Sequence, residues 1–282
     1  MKRGLPLALL CLLAGCGTVV EDQYIFLPER QLVAQPSDFG LAYEEAIFAA
    51  SDGVRLHGWF IPAAKARHTL VWFHGNAGNV SHRLANAQLF HQALGVHIFL
   101  FDYRGYGRSE GGPSEAGLYM DGEAALSYLR NREDLQATRV VLFGRSLGAA
   151  VVVELAQREP VAGVILESPF TSVPEMARQL LPFLPWQRLL KTRFDSLSKI
   201  GSLRPPLLVL HGDRDEVVPF AMGRRLFEAA RGPKRFHPIP GASHNDTYLV
   251  GGQAYLKVLR DFLDSLEKGP EGSGSGFVPL RG

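Results

Sequence analysis

The chain of 282 residues is 46% apolar, and its 30 Lys and Arg stand against 28 Asp and Glu, a formal net charge of +2. That length and apolar content suit one large α/β domain, or two small ones, with a substantial core. The near-neutral balance, with neither a basic stripe nor an acidic tail, argues against a nucleic-acid-binding protein.

Lys2 and Arg3 precede an apolar run, Leu5 to Leu13, and Leu13-Ala14-Gly15-Cys16 follows. A charged start, a short apolar core and small residues before a cleavage point describe a secretory signal peptide over residues 1–15. The run is too short to span a bilayer. A cysteine directly after Leu-Ala-Gly resembles the bacterial lipobox, which implies cleavage before Cys16 and acylation of its thiol. Gly17, rather than Asp, follows the cysteine and favours outer-membrane sorting in a Gram-negative host. The expected place is therefore the bacterial cell envelope, with the membrane as a partner through lipidated Cys16. Loss of Lys2 and Arg3 leaves 28 cations against 28 acids. Cys11, the only other cysteine, lies in the segment removed. The folded body is then expected to have no disulfide, no thiolate nucleophile and no cysteine metal ligand.

Residues 16–41 read as a lipidated tether and lead-in, and residues 42–267 as the folded domain. Glu44 to Ile61 predicts a hairpin about Ser51-Asp52-Gly53, with period-2 alternation from Val54 to Ile61. Apolar strands then alternate with helical patterns. The strands are Thr69–Phe73, Val96–Phe101, Val140–Phe143, Val161–Leu166 and Leu207–Leu210, with a further short one at Phe236–Ile239. Near-continuous apolar runs of this kind indicate parallel strands covered on both faces. The helical patterns are Ser81–Leu94, Gly117–Arg130, Leu147–Gln157, Ala221–Ala230 and Gln253–Leu266. The expected fold class is α/β, a mostly parallel doubly wound sheet with an antiparallel start. Residues 168–201, rich in Pro and large apolar groups, interrupt the rhythm and read as a short helical cap over the strand ends. Residues 268–282, with Gly272-Ser273-Gly274-Ser275-Gly276, read as a flexible tail.

Gly144-Arg145-Ser146-Leu147-Gly148 closes the strand 140–143 and opens a helical run. Strand, sharp turn and helix with a serine at the apex form the setting of a nucleophile, whose flanking glycines leave room for strand and helix. A serine hydroxyl needs a base, and the base an orienting carboxylate. In this kind of sheet the order is Ser, then Asp or Glu, then His. Asp215 follows the strand 207–210 and His244 the strand 236–239, both in loops at carboxyl ends of strands, where open parallel sheets place their sites. Among the nine histidines, His74 and His211 end strands before glycine, where backbone bonding is expected. His57, His68, His82, His91, His97 and His237 fall on strands or helical faces. Asp213, a turn former, and Glu167, which ends its own strand, stand as alternative acids. Asp246 is either a neighbour of His244 or a helix N-terminal charge. Two donors for a developing oxyanion are expected from the N–H of Leu147 and from the small-residue loop 73–79, at Asn76.

Residues 42 to 266 resemble the α/β-hydrolase-domain serine hydrolases. The resemblance rests on Phe-His-Gly-Asn-Ala-Gly-Asn (73–79), Asp-Tyr-Arg-Gly-Tyr-Gly-Arg-Ser (102–109), Gly-Arg-Ser-Leu-Gly (144–148) and His-Gly-Asp-Arg-Asp-Glu-Val-Val-Pro (211–219), in family order. It implies the α/β-hydrolase fold, nucleophile Ser146, acid Asp215, base His244 and oxyanion amides at Asn76 and Leu147. It also implies a structural role for 102–109, with Gly105 and Gly107 shaping a turn that Asp102 and Arg104 pin. The expected activity is hydrolysis of carboxylic esters or thioesters through an acyl-enzyme, with no cofactor. The apolar cap suggests an acyl or aromatic substrate group, and depalmitoylases among the relatives make a long-chain thioester a candidate. Peptidases among them make a serine peptidase or aminopeptidase the alternative. A non-catalytic envelope-binding protein that kept the fold is a second alternative. A metal hydrolase built on His74 or His211 lacks any His-Glu-x-x-His or comparable ligand spacing.

Overall fold

The structure is a computed structural model and describes residues 25–135, 139–180, 182–183, 185 and 190–267. The expected signal segment, Cys16, the tether through residue 24 and the tail from residue 268 lie outside the described residues. So do Leu181, Leu184 and Trp186 of the cap.

In chain order the strands are β1 (Leu27–Pro28), β2 (Glu44–Ala49), β3 (Arg55–Ile61), β4 (His68–Phe73), β5 (Ala77–Gly78), β6 (His97–Phe101), β7 (Arg139–Arg145), β8 (Gly163–Glu167), β9 (Leu207–Gly212) and β10 (Lys234–Ile239). The helices are α1 (Leu84–Leu94), α2 (Glu115–Arg130), α3 (Leu147–Leu155), α4 (Val173–Leu180), α5 (Ser196–Lys199), α6 (Phe220–Ala229) and α7 (Thr247–Ser265). Eight strands form one sheet in the order β10-β9-β8-β7-β4-β6-β3-β2. The predicted hairpin is β2–β3; it pairs antiparallel, as does β3 with β6, and every other pair in this sheet is parallel.

The apolar strand runs are explained by burial on both faces. Side chains alternate across a strand, so Val71 and Phe73 pack into one core layer while Leu70 and Trp72 pack into the other. Leu142 and Val209 join the first layer, under α2 and α3. Val141, Phe143, Leu208 and Leu210 join the second, under α1 and α7. Helix α7 starts at Thr247, six residues before its apolar stripe at 253 predicts, and is broken at Gly252, whose φ is 48°. The tandem Gly251-Gly252 hides this first turn from a periodicity reading.

The lead-in is part of the packed domain from Ile25 onward. Phe26 is 3% and Leu41 4% exposed, and β1 pairs in parallel with β5. Of the region read as a cap, the described part contains α4 and α5, with Phe170 and Phe194 buried in the first core layer.

Where the loop after β4 meets the turn after β6, two buried titratable groups bear on stability. His74 and Asp102 are both fully buried, with Nε2 and Oδ1 3.6 Å apart. Asp102 accepts the Val80 N–H at 2.9 Å. Arg104 is pinned by Asp121 (2.9 Å) and Asp52 (2.7 Å). Burial pushes the Asp102 carboxyl up to about 7, against the Val80 N–H and Arg83. Burial also drives the His74 imidazole down to about 3.

These shifts have opposite linkage signs. Neutral His74 contributes stability above its unfolded pKa of about 6.5, and this fades as pH falls toward about 3. Neutral Asp102 contributes stability below about 3.8, and this fades as pH rises through about 7. Between about pH 4 and 6.5 the two offset each other. Asp102→Asn removes one of them, so the variant's Tm should climb with pH across that window more steeply than the parent's. Parallel Tm–pH curves for parent and variant would contradict this assignment.

Candidate active site

The chain leaves β4 toward β6 on one side and later enters β7 on the other, so the β4–β7 boundary is the sheet's topological switch point. Open α/β sheets leave a crevice there, at the carboxyl ends of the strands. The loop 74–76 ends β4, and Ser146 follows β7 directly.

Ser146 sits at φ 53°, ψ −115°, a strained conformation for a residue with a Cβ, costing on the order of 1–3 kcal/mol. The residues two before and two after it must be glycine. A Cβ on Gly144 would lie 2.6 Å from the Gly148 carbonyl oxygen, and one on Gly148 would lie 2.0 Å from the Phe73 carbonyl oxygen. The strand is thereby closed tightly onto α3, a helix buried along nearly its whole length. The Ser146 side chain makes no cap bond to that helix, so its hydroxyl is not committed to the backbone. Leu147 is the first residue of α3, where a helix has no internal acceptor for its N–H.

Asp215 and His244 meet as the sequence predicts. His244 Nδ1 lies 2.8 Å from Asp215 Oδ2. A carboxylate can only accept, so Nδ1 is the donor, and in the neutral imidazole this tautomer leaves the lone pair on Nε2, as a general base requires. The Val217 and Val218 N–H groups donate to Asp215 Oδ1 at 3.0 and 2.7 Å. Burial pushes the Asp215 carboxyl up, but the bonds from His211 and His244, with the charge of His244 and the Val218 N–H, outweigh it and hold the group well below the usual carboxylate range.

His211 is a partner that sequence reasoning missed. Its Nε2 lies 3.0 Å from the Val218 carbonyl oxygen, the expected backbone bond, and also 3.3 Å from Asp215 Oδ2. Both neighbours accept, so Nε2–H is shared between them. The i to i+4 spacing within His211–Asp215 was the available signal.

A second group missed by the sequence joins the elbow to the base. Arg145 donates to the His244 carbonyl oxygen and, at 3.0 Å, to Asn245 Oδ1. Its Nε lies 3.1 Å from Glu167 Oε1. Glu167 also accepts from Thr247 (2.9 Å) and from Tyr255, and its carbonyl accepts the Ser146 N–H at 2.9 Å. The residue before Ser146 thus grips the residue that bears the imidazole. Glu167, an alternative acid by sequence, is used in this cluster and not against His244. Asp213 accepts the Gly241 N–H at 2.7 Å and Asp246 the Ser243 N–H at 2.7 Å, so both shape turns.

The Asn76 loop is strapped from outside by the lead-in. The Asn76 carbonyl accepts from Leu27 N–H (3.1 Å) and from Tyr106 Oη–H (2.8 Å), and its side-chain amide donates to the Ile25 carbonyl (3.1 Å). Asn79 Nδ2 donates to the Glu29 and Gln31 carbonyls at 2.9 and 2.8 Å. Gly75 faces the elbow: a Cβ there would lie 3.7 Å from Ser146 Cβ. Loop, elbow and imidazole loop therefore converge at one end of the sheet, an arrangement suited to acyl transfer. Among the described residues, no cluster of three His, Cys, Asp or Glu side chains could hold a metal ion.

A family model described as serine aminopeptidase, S33, matches residues 64–199. The chain is 36% identical to the α/β-hydrolase domain-containing protein WAV2 of Arabidopsis thaliana, over 93% of this chain and 94% of that one. It is 37% identical to protein bem46 of Schizosaccharomyces pombe, over 83% and 81%. An uncharacterized protein of Mycobacterium tuberculosis is 38% identical over 93% and 95%. Among solved structures, the Pyrococcus furiosus esterase Pf2001 superposes with a TM-score of 0.70 at 21% identity, over 84% of this chain and 98% of that one.

Proposed function

The chain belongs to the α/β-hydrolase family, and on that premise we propose that it is a serine hydrolase that cleaves carboxylic esters or thioesters through an acyl-enzyme on Ser146. The observation that carries the reading is the 2.8 Å His244–Asp215 pair, whose loop Arg145 ties to the strained Ser146 elbow. In the proposed reaction, Ser146 Oγ attacks the acyl carbon while its proton passes to His244 Nε2. The oxyanion takes the N–H groups of Leu147 and Asn76. The tetrahedral adduct collapses, and the departing alcohol or thiol leaves with the proton from Nε2. Water then gives its proton to Nε2 and its oxygen to the acyl carbon, and Ser146 recovers its hydrogen as the acid departs. Asp215 holds the imidazole in the required tautomer and offsets its charge. Each oxyanion donor is worth about 10²–10³ in turnover.

An acyl or aromatic substrate is favoured by the apolar-rich composition of the β8–β9 crossover. In the same reading a lipid on Cys16 holds the enzyme to the bacterial envelope. A peptidase reading is favoured by the description of the matching family model, serine aminopeptidase. A substrate panel separates them: p-nitrophenyl esters of graded chain length and acyl thioesters should turn over, and amino-acid anilides should not. Faster turnover of the anilides than of the esters would reverse the assignment.

A further inference from the structure

We propose that the active-site face rests on a lipid bilayer, so that the acyl chain of the substrate enters from the membrane. The inference rests on the serine hydrolase reading for its chemistry, and on separate observations for its geometry. The first is where four of the seven exposed large apolar side chains among the described residues lie; Val33 and Ile47, each 60% exposed, are not among the four. Leu27 is 50%, Val217 47%, Leu249 67% and Val250 47% exposed. Leu27 pairs with Ala77, next to Asn76. Val217 is two residues beyond Asp215, and Leu249 and Val250 are five and six beyond His244. Both of the latter donate their N–H to the Asp246 carbonyl, in the turn that carries the imidazole. Single exposed apolar residues scattered over a surface need no explanation. These four instead stand next to site groups along the chain or by strand pairing: Leu27 in the strand that pairs beside Asn76, Val217 just beyond Asp215, and Leu249 and Val250 in the first turn of α7, directly after the imidazole loop. Phe183, 96% exposed, lies in the crossover that leaves the same strand ends at Glu167.

The second observation is where the tether attaches. Ile25 hands its carbonyl to Asn76 at 3.1 Å, so the chain from the proposed anchor arrives at the mouth of the site. Cys16 and Ile25 are nine residues apart, and a fully extended chain of that length reaches at most about 30 Å. Cys16 acylated in a bilayer therefore keeps the Asn76 loop within about one membrane thickness of the surface. An enzyme held so short, with an apolar rim on the tethered face, is placed to meet acyl groups already in the membrane. The occupant is thus the lipid surface, and the substrate class is membrane-resident acyl esters or thioesters.

The test uses the acylated full chain in vesicles of phosphatidylethanolamine and phosphatidylglycerol. Acylation leaves the mature chain without a free thiol, so Leu249→Cys and Ile47→Cys can each be labelled with an environment-sensitive fluorophore. Ile47, 60% exposed on β2 at the far edge of the sheet, is the control. The label at 249 should shift to the blue and be quenched by a lipid-phase spin label, and the label at 47 should not. In parallel, Leu249→Ser combined with Val250→Ser should lower hydrolysis of a long-chain ester embedded in the vesicles by about tenfold or more, with hydrolysis of dissolved p-nitrophenyl acetate unchanged. Equal water exposure of the two labels, or equal loss on both substrates, would overturn the proposal. A parent chain inactive on the acetate would instead overturn the hydrolase reading, while the two labels would still report whether this face meets lipid.

Discussion

Ser146→Ala should lower ester turnover by about 10⁶-fold, the loss seen when a triad nucleophile is removed and only substrate binding and oxyanion donors remain. The fold should not suffer. The Ser146 side chain makes no cap bond to α3, and alanine meets the same strain at φ 53° as serine does. Melts of parent and variant should therefore agree within about 1 kcal/mol. A variant that keeps a tenth of the parent turnover would rule out Ser146 as nucleophile. A variant that loses turnover only because it unfolds would show a collapsed melt.

His244→Gln should lower turnover by about 10⁴-fold, since the hydroxyl then has no base. The cost in stability should again be small. His244 holds its place through its backbone, by the Arg145 bond to its carbonyl and the Glu216 bond to its N–H at 3.2 Å. Asp215, buried and charged, keeps His211 and the Val217 and Val218 N–H groups when the imidazole goes. Asp215 is held below its ordinary range, so its contribution to stability is present above about pH 3.8 and is lost as pH falls below that. An acid limb of the rate profile near neutrality therefore does not come from Asp215. Comparable falls in turnover and melting temperature would make His244 a structural residue.

The sheet and the elbow were legible because their causes are local. Strands buried on both faces need unbroken apolar runs, as in Thr69–Phe73 and Leu207–Leu210, and the Ser146 turn needs Gly144 and Gly148 where backbone presses on backbone. Asp215 and His244 were legible because strand ends in such a sheet gather loops at one edge, and their side-chain bond follows the expectation. What escaped depends on contacts between distant segments. Arg145 reads as a spacer inside a serine motif, and nothing near it predicts a bond to a carbonyl 99 residues away. Glu167 reads as a spare acid until Arg145, Thr247 and Tyr255 surround it. The lead-in hid its role because β1 is two residues long, too short to show any period. Its bonds to Asn76 and Asn79 run through its backbone N–H and carbonyl groups, which nearly every sequence has.

One activated hydroxyl carries the proposed chemistry, and a fluorophosphonate probe reports it directly. Labelling of the intact chain, followed by peptide mapping, should yield a single adduct on the peptide that contains Ser146, with none on Ser146→Ala and strongly slowed labelling of His244→Gln. An adduct on a different serine, or labelling of Ser146→Ala at the parent's rate, would contradict it.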